Sequence, residues 1–361
     1  MARKLTYVEE LIRLFISAQA ELIRLLQTVE PTRTVTQYRK ELLQQVNKEL
    51  ALLNSRATLV MENLIKESYI KGILFVNRKL GKKIKSIKEA DILKELSKTH
   101  RKTINVFIRN KLNDLSDVNY FIGRQIKDNI QKSVEDAVGL KLTTNETLKE
   151  CKKNILKNFA ENGITAIKTK NGRFIRLDAY AEMVARSTTR EVTNTAIIKQ
   201  VQELGYDLVK MSSHPGSCPI CQQFEGRVYS ISGKDKRFPK LDIAFSSGYA
   251  NIHPRCRHTL EPYIPEFNDV NKDVINSNRP FKEPDKADRQ VQVYYQNQKE
   301  KAKLRQDRLQ WEKYRTVLGN EAPSTLAGFR RMKTANSENY QELKRKYKEK
   351  VTQRSKTQRE N

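Results

Sequence analysis

The placement of proline is the strongest constraint that this sequence puts on its fold. Eight of the ten prolines lie between Pro215 and Pro284, whereas the flanks hold only Pro31 and Pro323. Proline interrupts helices because it lacks the backbone N–H and its ring clashes with the preceding turn. The sequence therefore predicts a helical N-terminal region, an irregular centre and a second helical region.

Apolar spacing supports helices in the N-terminal flank. Apolar residues recur every three or four positions from Leu5 to Val29, with Gln19 as the one polar interruption, and again from Val46 to Leu64 after a break at Pro31. This period is typical of amphipathic helices, and further helices are predicted over 104–130 and 147–159. A helical bundle explains the pattern; the alternative is a coiled coil that supports self-association through the N-terminal helices.

The periodicity changes at Gly163, where a hairpin is predicted. Strands over 164–168 and 173–177 flank Asn171-Gly172, a preferred pair for a type I′ turn because both positions need positive φ. Asp178 is then the predicted N-cap of a helix, and Gly205 suits its C-terminal cap. Strands are predicted over 207–211 and 227–231.

The predicted fold is mostly α with a central α+β domain held by a structural zinc ion. Residues 1–163 form the helical N-terminal region, 164–266 the central domain, and 267–361 a linker and basic helical tail. Within the tail, 278–286 is the predicted linker and 319–328 breaks the helix. The last thirty residues are polar and basic, which predicts a solvated helix or disorder.

The charge of the chain favours a polyanionic partner. The formal net charge is +27 over 361 residues, of which residues 299–361 carry +10 and residues 206–266 only +2. A surplus of this size on helical flanks predicts non-specific contact with double-stranded DNA through counterion release. The sequence has no apolar run of the about 18 residues that a membrane span needs, and four cysteines do not make a disulfide scaffold.

Six of the eight Cys and His residues fall within 45 positions. They form the arrangement Cys218-Pro-Ile-Cys221 and, further on, His253-Pro-Arg-Cys256-Arg-His258, preceded by His214. Two thiolates on a tight turn can grip one Zn²⁺, and a second pair from a distant loop completes a tetrahedron. The predicted structural zinc ligands are Cys218, Cys221, His253 and Cys256, with His258 as the alternative to His253. His214 is expected to support the site rather than to bind the metal.

Two other functions are open at this point. A metal-dependent nuclease would use His253 or His258 as a general base, but the cluster offers no carboxylate at ligand spacing and four protein ligands leave no position for water. A cellular zinc-containing DNA-binding module is disfavoured by the charge of only +2 around the cluster, because fingers that read bases are usually basic. A non-enzymatic, structural role is therefore predicted.

The central motifs resemble a known family. The segments Asp207-Leu-Val-Lys-Met-Ser-Ser-His214, Cys218-Pro-Ile-Cys221, Glu225-Gly-Arg-Val-Tyr-Ser-Ile-Ser-Gly233 and His253-Pro-Arg-Cys-Arg-His258-Thr-Leu-Glu-Pro-Tyr occur in that order, after Tyr180-Ala-Glu-Met-Val-Ala-Arg186. Together they resemble the phage minor capsid protein 2 family, which is related to the Mu protein F-like head-morphogenesis proteins. The resemblance covers about residues 165–266.

The resemblance implies a low-copy virion protein, made in the cytoplasm of the bacterial host and placed in the capsid interior. It further implies association with the portal protein and a part in head assembly or DNA ejection. The chain departs from the Mu F-like pattern, in which the second motif commonly ends Cys-x-Cys, because it has Cys256-Arg-His258. This departure is what leaves the fourth zinc ligand open between His253 and His258.

Overall fold

The protein is mainly helical, as the sequence predicted. The computed structural model describes residues 5–28, 34–81, 95–139, 144–162, 165–168, 174–246 and 250–356. The helices of this part are α1 (Tyr7–Thr28), α2 (Val35–Lys79), α3 (Lys98–Gly139), α4 (Thr144–Asn162), α5 (Leu177–Glu203), α6 (Pro219–Gln222), α7 (Val270–Ser277), α8 (Arg289–Leu318), α9 (Leu326–Thr334) and α10 (Glu338–Lys356). Its strands are β1 (Thr165–Lys168), β2 (Phe174–Arg176), β3 (Leu208–Met211), β4 (Val228–Ser230) and β5 (Leu260–Pro262).

The helices predicted from apolar spacing in the N-terminal flank are confirmed. α1 and α2 lie on either side of the predicted break, and Pro31 itself falls outside the described residues. The apolar positions of the second pattern are all buried: Val46, Leu50, Leu53, Ala57, Val60 and Leu64. The helices predicted over 104–130 and 147–159 are the inner parts of α3 and α4.

A hairpin precedes α5, as predicted. β1 and β2 pair antiparallel with Ile167 opposite Ile175, while the predicted turn at Asn171-Gly172 lies outside the described residues. The predicted N-cap is wrong by one turn position, because α5 begins at Leu177 and Asp178 lies inside its first turn. The predicted C-terminal cap is confirmed: Gly205 has a φ of +83°.

The central sheet has three antiparallel strands in the order β4-β3-β5. In β3, Val209 lies opposite Tyr229 of β4 and Pro262 of β5. The two strands predicted here are present with slightly shorter bounds, but β5 was not predicted. It has three residues and includes a proline, which is tolerated because β5 is an edge strand and needs fewer ladder donors.

Both faces of this sheet are covered, because side chains alternate along each strand. One face packs on α2 and α5 in a buried cluster made by Val76, Ile197, Val201, Val209, Met211, Tyr229 and Leu260 with further residues. The other face packs on α7 through Leu208, Val228, Phe238 and Tyr263, with Val270 and Val274 of the helix beside them. The α+β character of the centre is therefore confirmed.

The predicted linker over 278–286 is non-helical, yet its first residues are fixed by Arg227. The side chain of Arg227 is fully buried and donates hydrogen bonds to the backbone carbonyls of Ser277 and Pro280, each at 2.9 Å. Its guanidinium also lies 3.9 Å from the ring centroid of Phe281. One side chain thus ties the start of the linker to β4.

The C-terminal region is helical, as predicted, but the break in it is shorter than predicted. The break after α8 ends before α9, so Gly328 lies within a helix, and the hydroxyl of Thr325 accepts a hydrogen bond from the Gly328 N–H. The described part of α10 matches the first of the two predicted alternatives, a solvated helix, because most of its residues are exposed. Its residues Tyr340 and Leu343 are buried in a cluster with Tyr314, Val317, Leu318, Ala322 and Phe329.

The chain divides into two compact units, each built from separated segments. One unit comprises residues 1–14, 55–116 and 178–296, and the other comprises 15–54, 117–177 and 297–361. The first unit contains the three-stranded sheet, and the second contains the hairpin β1–β2 and the cluster around Phe329. The domain boundaries at 163 and 266 stay a prediction. Among the described residues, no helix combines the length and apolar character of a membrane span.

Candidate metal centre

The first pair of cysteines lies on a tight turn at the start of α6. Cys218 precedes the helix in an extended conformation, and its carbonyl accepts hydrogen bonds from the N–H groups of Cys221 and Gln222 at 3.0 and 3.1 Å. Pro219 occupies the first helical position, where its missing N–H costs nothing. This turn brings both sulfur atoms to the same side of the chain.

A second turn carries His253 and Cys256. The N–H of Cys256 donates to the carbonyl of His253 at 3.1 Å, and Arg255 adopts a left-handed φ of 64°. Helix α5 fixes this segment in two places. The hydroxyl of Ser187 accepts from the N–H of Arg255 at 2.9 Å, and the buried side chain of Asn194 bonds the carbonyl of Ala250 at 2.8 Å and the N–H of Leu260 at 3.1 Å.

The two turns place five donor side chains together. Nε2 of His253 lies 3.1 Å from Sγ of Cys218 and 3.0 Å from Sγ of Cys221. Sγ of Cys221 lies 3.8 Å from Sγ of Cys256, and Nδ1 of His258 lies 3.4 Å from the latter. The donors form two groups that share Cys221: Cys218, Cys221 and His253, and Cys221, Cys256 and His258.

Glu225 orients His258 within the second group. Its carboxylate is hydrogen-bonded to Nε2 of His258 and also accepts the backbone N–H of His214 at 3.0 Å. The ring of His214 packs against that of His258, with centroids 4.9 Å apart, and its Nε2 is hydrogen-bonded to the hydroxyl of Ser212. A carboxylate on the far nitrogen of a metal-binding histidine is a common supporting arrangement, because it fixes the tautomer and the ring.

Hydrogen bonds among the thiols make two of them acidic. The contact with Cys221 lowers the pKa of Cys218 and that of Cys256, whereas these same contacts raise the pKa of the Cys221 thiol. The hydrogen bond with Cys218 raises the pKa of His253 to about 9. Cys218 and Cys256 are therefore the thiols that ionise most readily to thiolates, the form in which cysteine binds metals.

Charged neighbours also shift pKa values in the second group, which consists of Cys221, Cys256 and His258. Burial by itself would lower the pKa of His258, but Cys256 and Glu225 raise it to about 9. Burial lowers the pKa of Arg190 on α5, and the negative charge of Cys256 opposes that shift. A cation is therefore close enough to Cys256 to offset part of the negative charge of the thiolates.

The donor set could hold a metal ion such as zinc. A tetrahedral site with sulfur ligands at about 2.3 Å separates two sulfur atoms by about 3.8 Å, which is the spacing of Cys221 and Cys256. Bound zinc would connect the turn at α6 to the turn before β5 and so act as a structural cross-link.

The structure places each predicted ligand in this cluster but divides the predicted set between two groups. Cys218, Cys221 and His253 lie together, and Cys256 lies with His258 on the other side of Cys221. The choice between His253 and His258 stays a prediction. Sequence reasoning did not identify the role of Glu225, although it follows the first cysteine turn directly in the motif that carried the family resemblance. Neither Cys151 nor His100 belongs to these donor groups.

The fold and the site together define the class of protein: it is mainly helical, with a small sheet domain and a Cys/His cluster. The sequence matches the family model of phage minor capsid protein 2 over residues 29–360. The chain therefore belongs to the phage minor capsid protein 2 family. A search of curated proteins found no significant match. A search of solved structures found none either.

Proposed function

We propose that this chain is a structural protein of the phage head that lies in the capsid interior and associates with the portal. The match to the minor capsid family over nearly the whole chain is the observation that carries the proposal. The family is structural, which agrees with a non-enzymatic role. In this role the protein supports head assembly or the passage of DNA at ejection.

The cluster acts in this proposal as a structural zinc site. Three thiols and one imidazole make a tetrahedral set, and each histidine nitrogen not facing sulfur has a partner: Nδ1 of His253 is 2.7 Å from the carbonyl of Pro254, and Nε2 of His258 contacts Glu225. A closed four-ligand site leaves no position for a reacting water. Zinc here stabilises the sheet domain that docks onto the head.

Contact with packaged DNA is the second part of the proposal. The net charge of +27 lies almost entirely outside residues 206–266, so the helical flanks rather than the metal domain face the polyanion. Such contacts with phosphates are non-specific and depend steeply on salt, because each one releases condensed counterions.

The direct test combines two measurements on the purified full-length chain. Binding to duplex DNA fragments of unrelated sequence should have similar affinity and weaken by about 10³-fold or more between 50 and 200 mM salt. Co-purification with the portal protein of the same phage should survive the high-salt wash that removes DNA. Tight DNA binding that ignores salt contradicts the DNA contact, and loss of the portal at every salt concentration contradicts the portal association.

A further inference from the structure

The beginning of α3 carries an unusual concentration of positive charge. Lys98, Arg101 and Lys102 lie in its first two turns, and its first turn has no acidic residue. The amino end of a helix already bears about half a positive charge, so cations there destabilise the helix. In contrast, α1 begins with Glu9 and Glu10, the arrangement that helices prefer. The basic residues at the start of α3 therefore destabilise this helix rather than stabilise it.

These cations share one face with a fourth, Arg109. The positions 98, 101, 102, 105 and 109 are separated by three or four residues, so their side chains lie along one side of the helix. All five are exposed. Together with Val106, these five residues line one open surface cavity of about 810 Å³. We call this surface the basic face of α3.

Among the described residues, no carboxylate forms an ion pair with Lys98, Lys102 or Arg109 of the basic face. Arg101 donates its Nε hydrogen bond to the carbonyl of Leu96 at 2.9 Å. Several cations of the C-terminal helices are instead paired: Lys350 with Glu321 at 2.5 Å, and Lys333 with Asp307 at 2.7 Å. The charge of the basic face therefore remains available to an external anion.

We propose that the basic face of α3 contacts the phosphate backbone of double-stranded DNA without reading its bases. The face spans twelve positions, so eleven rises of about 1.5 Å separate its first and last residues by about 16 Å. A duplex presents about one phosphate charge per 1.7 Å of its axis, so four cations over this length can each reach a phosphate. The positive end of the helix adds to the attraction. This inference rests on the proposed DNA contact and assigns it to one surface.

The test compares two variants of the full-length chain that lose the same charge. One carries Lys98→Gln, Lys102→Gln and Arg109→Gln; the other carries Lys299→Gln, Lys303→Gln and Arg305→Gln, which lie on an exposed stretch of α8. Duplex binding by the α3 variant should weaken at least about tenfold at constant salt, and its log–log salt slope should be smaller by about 3. The α8 variant should lose much less. A third variant, Lys98→Arg, Lys102→Arg and Arg109→Lys, keeps the charge and should bind like the wild type.

The outcomes separate this inference from the proposed function. If the wild type binds duplex DNA and the α3 variant binds equally well, the basic face is not the contact surface and the proposed function stands. If the α3 and α8 variants lose the same affinity for duplex DNA, net charge alone determines binding. If the α3 variant loses affinity for single-stranded RNA but not for duplex DNA, the basic face binds another partner. Either result overturns the inference. If the wild type binds no DNA, both this inference and the proposed DNA contact are wrong. Unchanged melting temperatures confirm that the variants are folded, and Lys102→Gln alone should reduce the salt slope by about 1.

Discussion

Nε2 of His258 is hydrogen-bonded to the carboxylate of Glu225, so Nδ1 of the same ring faces Sγ of Cys256 at 3.4 Å. The carboxylate thereby fixes which nitrogen carries the proton and which can bind a metal. Because the N–H of His214 also donates to Glu225, the carboxylate cannot turn away without breaking a second hydrogen bond. Glu225 is therefore a positioning residue for the metal centre.

Glu225→Gln should lower the affinity for zinc about 10- to 100-fold, the usual cost of removing such a supporting carboxylate. The affinity is measured by competition with a chromogenic chelator at fixed pH. Glu266→Gln makes the same charge change at an exposed site and serves as the control. Equal affinities for Glu225→Gln and the wild type would show that His258 does not bind the metal.

Cys221 belongs to both donor groups and should be the least replaceable ligand. Cys221→Ser should abolish stoichiometric zinc, whereas His253→Ala or His258→Ala leaves the three thiols and the other imidazole. Metal analysis should give about one zinc per wild-type chain, and chelation should lower its melting temperature because structural zinc contributes directly to folding. Cys151→Ser, outside the cluster, is the control. Full zinc content in Cys221→Ser would contradict the assignment.

The four thiols should differ sharply in reactivity. Burial raises the pKa of Cys151 to about 11 and leaves its side chain with no exposed surface, whereas Cys218 is half-exposed. Alkylation followed by mass spectrometry should label all four cysteines in denaturant, but in the chelated native chain it should label Cys218 readily and leave the buried Cys151 and Cys221 protected. Labelling of Cys151 in native conditions would mean that its helix opens locally.

The raised pKa of Cys151 should make the protein less stable as the pH rises above 9. The unfolded thiol ionises near 9, while the folded one keeps its proton up to about 11. The unfolded state therefore loses protons first, and the stability contributed by Cys151 decreases as the pH rises above 9. Cys151→Ala should flatten the fall in urea midpoint between pH 8 and 10. An unchanged slope would exclude this contribution.

The features that could be predicted from sequence are those set by local chemistry. Apolar spacing placed the long helices, Gly205 marked the end of α5, and the spacing of Cys218 and Cys221 marked the metal turn. The missed features depend on distant partners: β5 is defined by pairing with β3, and the role of Glu225 depends on His258, 33 residues away. The solvated helix predicted for the C-terminal end is present as α10, but the burial of Tyr340 and Leu343 depends on distant residues such as Phe329 and was not predicted.

The close approach of α2 and α5 depends on Gly72. A Cβ atom at this position would lie 2.7 Å from Cβ of Ala196 and 2.8 Å from the carbonyl oxygen of Thr193. Since one of these contacts is with backbone, the helices must separate to accommodate it. Gly72→Ala should therefore destabilise the protein by about 1–3 kcal/mol, although alanine is the better helix former.

Urea unfolding monitored by circular dichroism measures this cost. In the double variant with Ala196→Gly, the contact with Cβ is removed but that with the carbonyl of Thr193 remains, so only partial recovery is expected. The exposed Lys71→Ala, one residue away, is the control and should change stability by less than about 0.5 kcal/mol. A stabilised Gly72→Ala variant would show that the helices do not approach so closely.

Arg227 is fully buried and ties residues 277–281 to the sheet. Burial lowers its pKa to about 10, so it remains charged at neutral pH and its charge is balanced by backbone carbonyls. Arg227→Lys keeps the charge, but an ammonium group cannot reproduce the planar fork that serves Gln223, Ser277 and Pro280 together. It should cost about 2–4 kcal/mol, because buried carbonyls lose their donors.

Besides lowering the stability of the whole protein, Arg227→Lys should loosen the segment that follows Ser277. Limited proteolysis should cut the Arg227→Lys chain after Lys282 or Lys286, at conditions in which the wild type is resistant, because the segment is no longer held at Ser277 and Pro280. Arg237→Lys, at an exposed arginine paired with Asp235, is the matched control and should change neither the urea midpoint nor the cleavage pattern. If both variants behave alike, the linker is held by contacts other than those of Arg227.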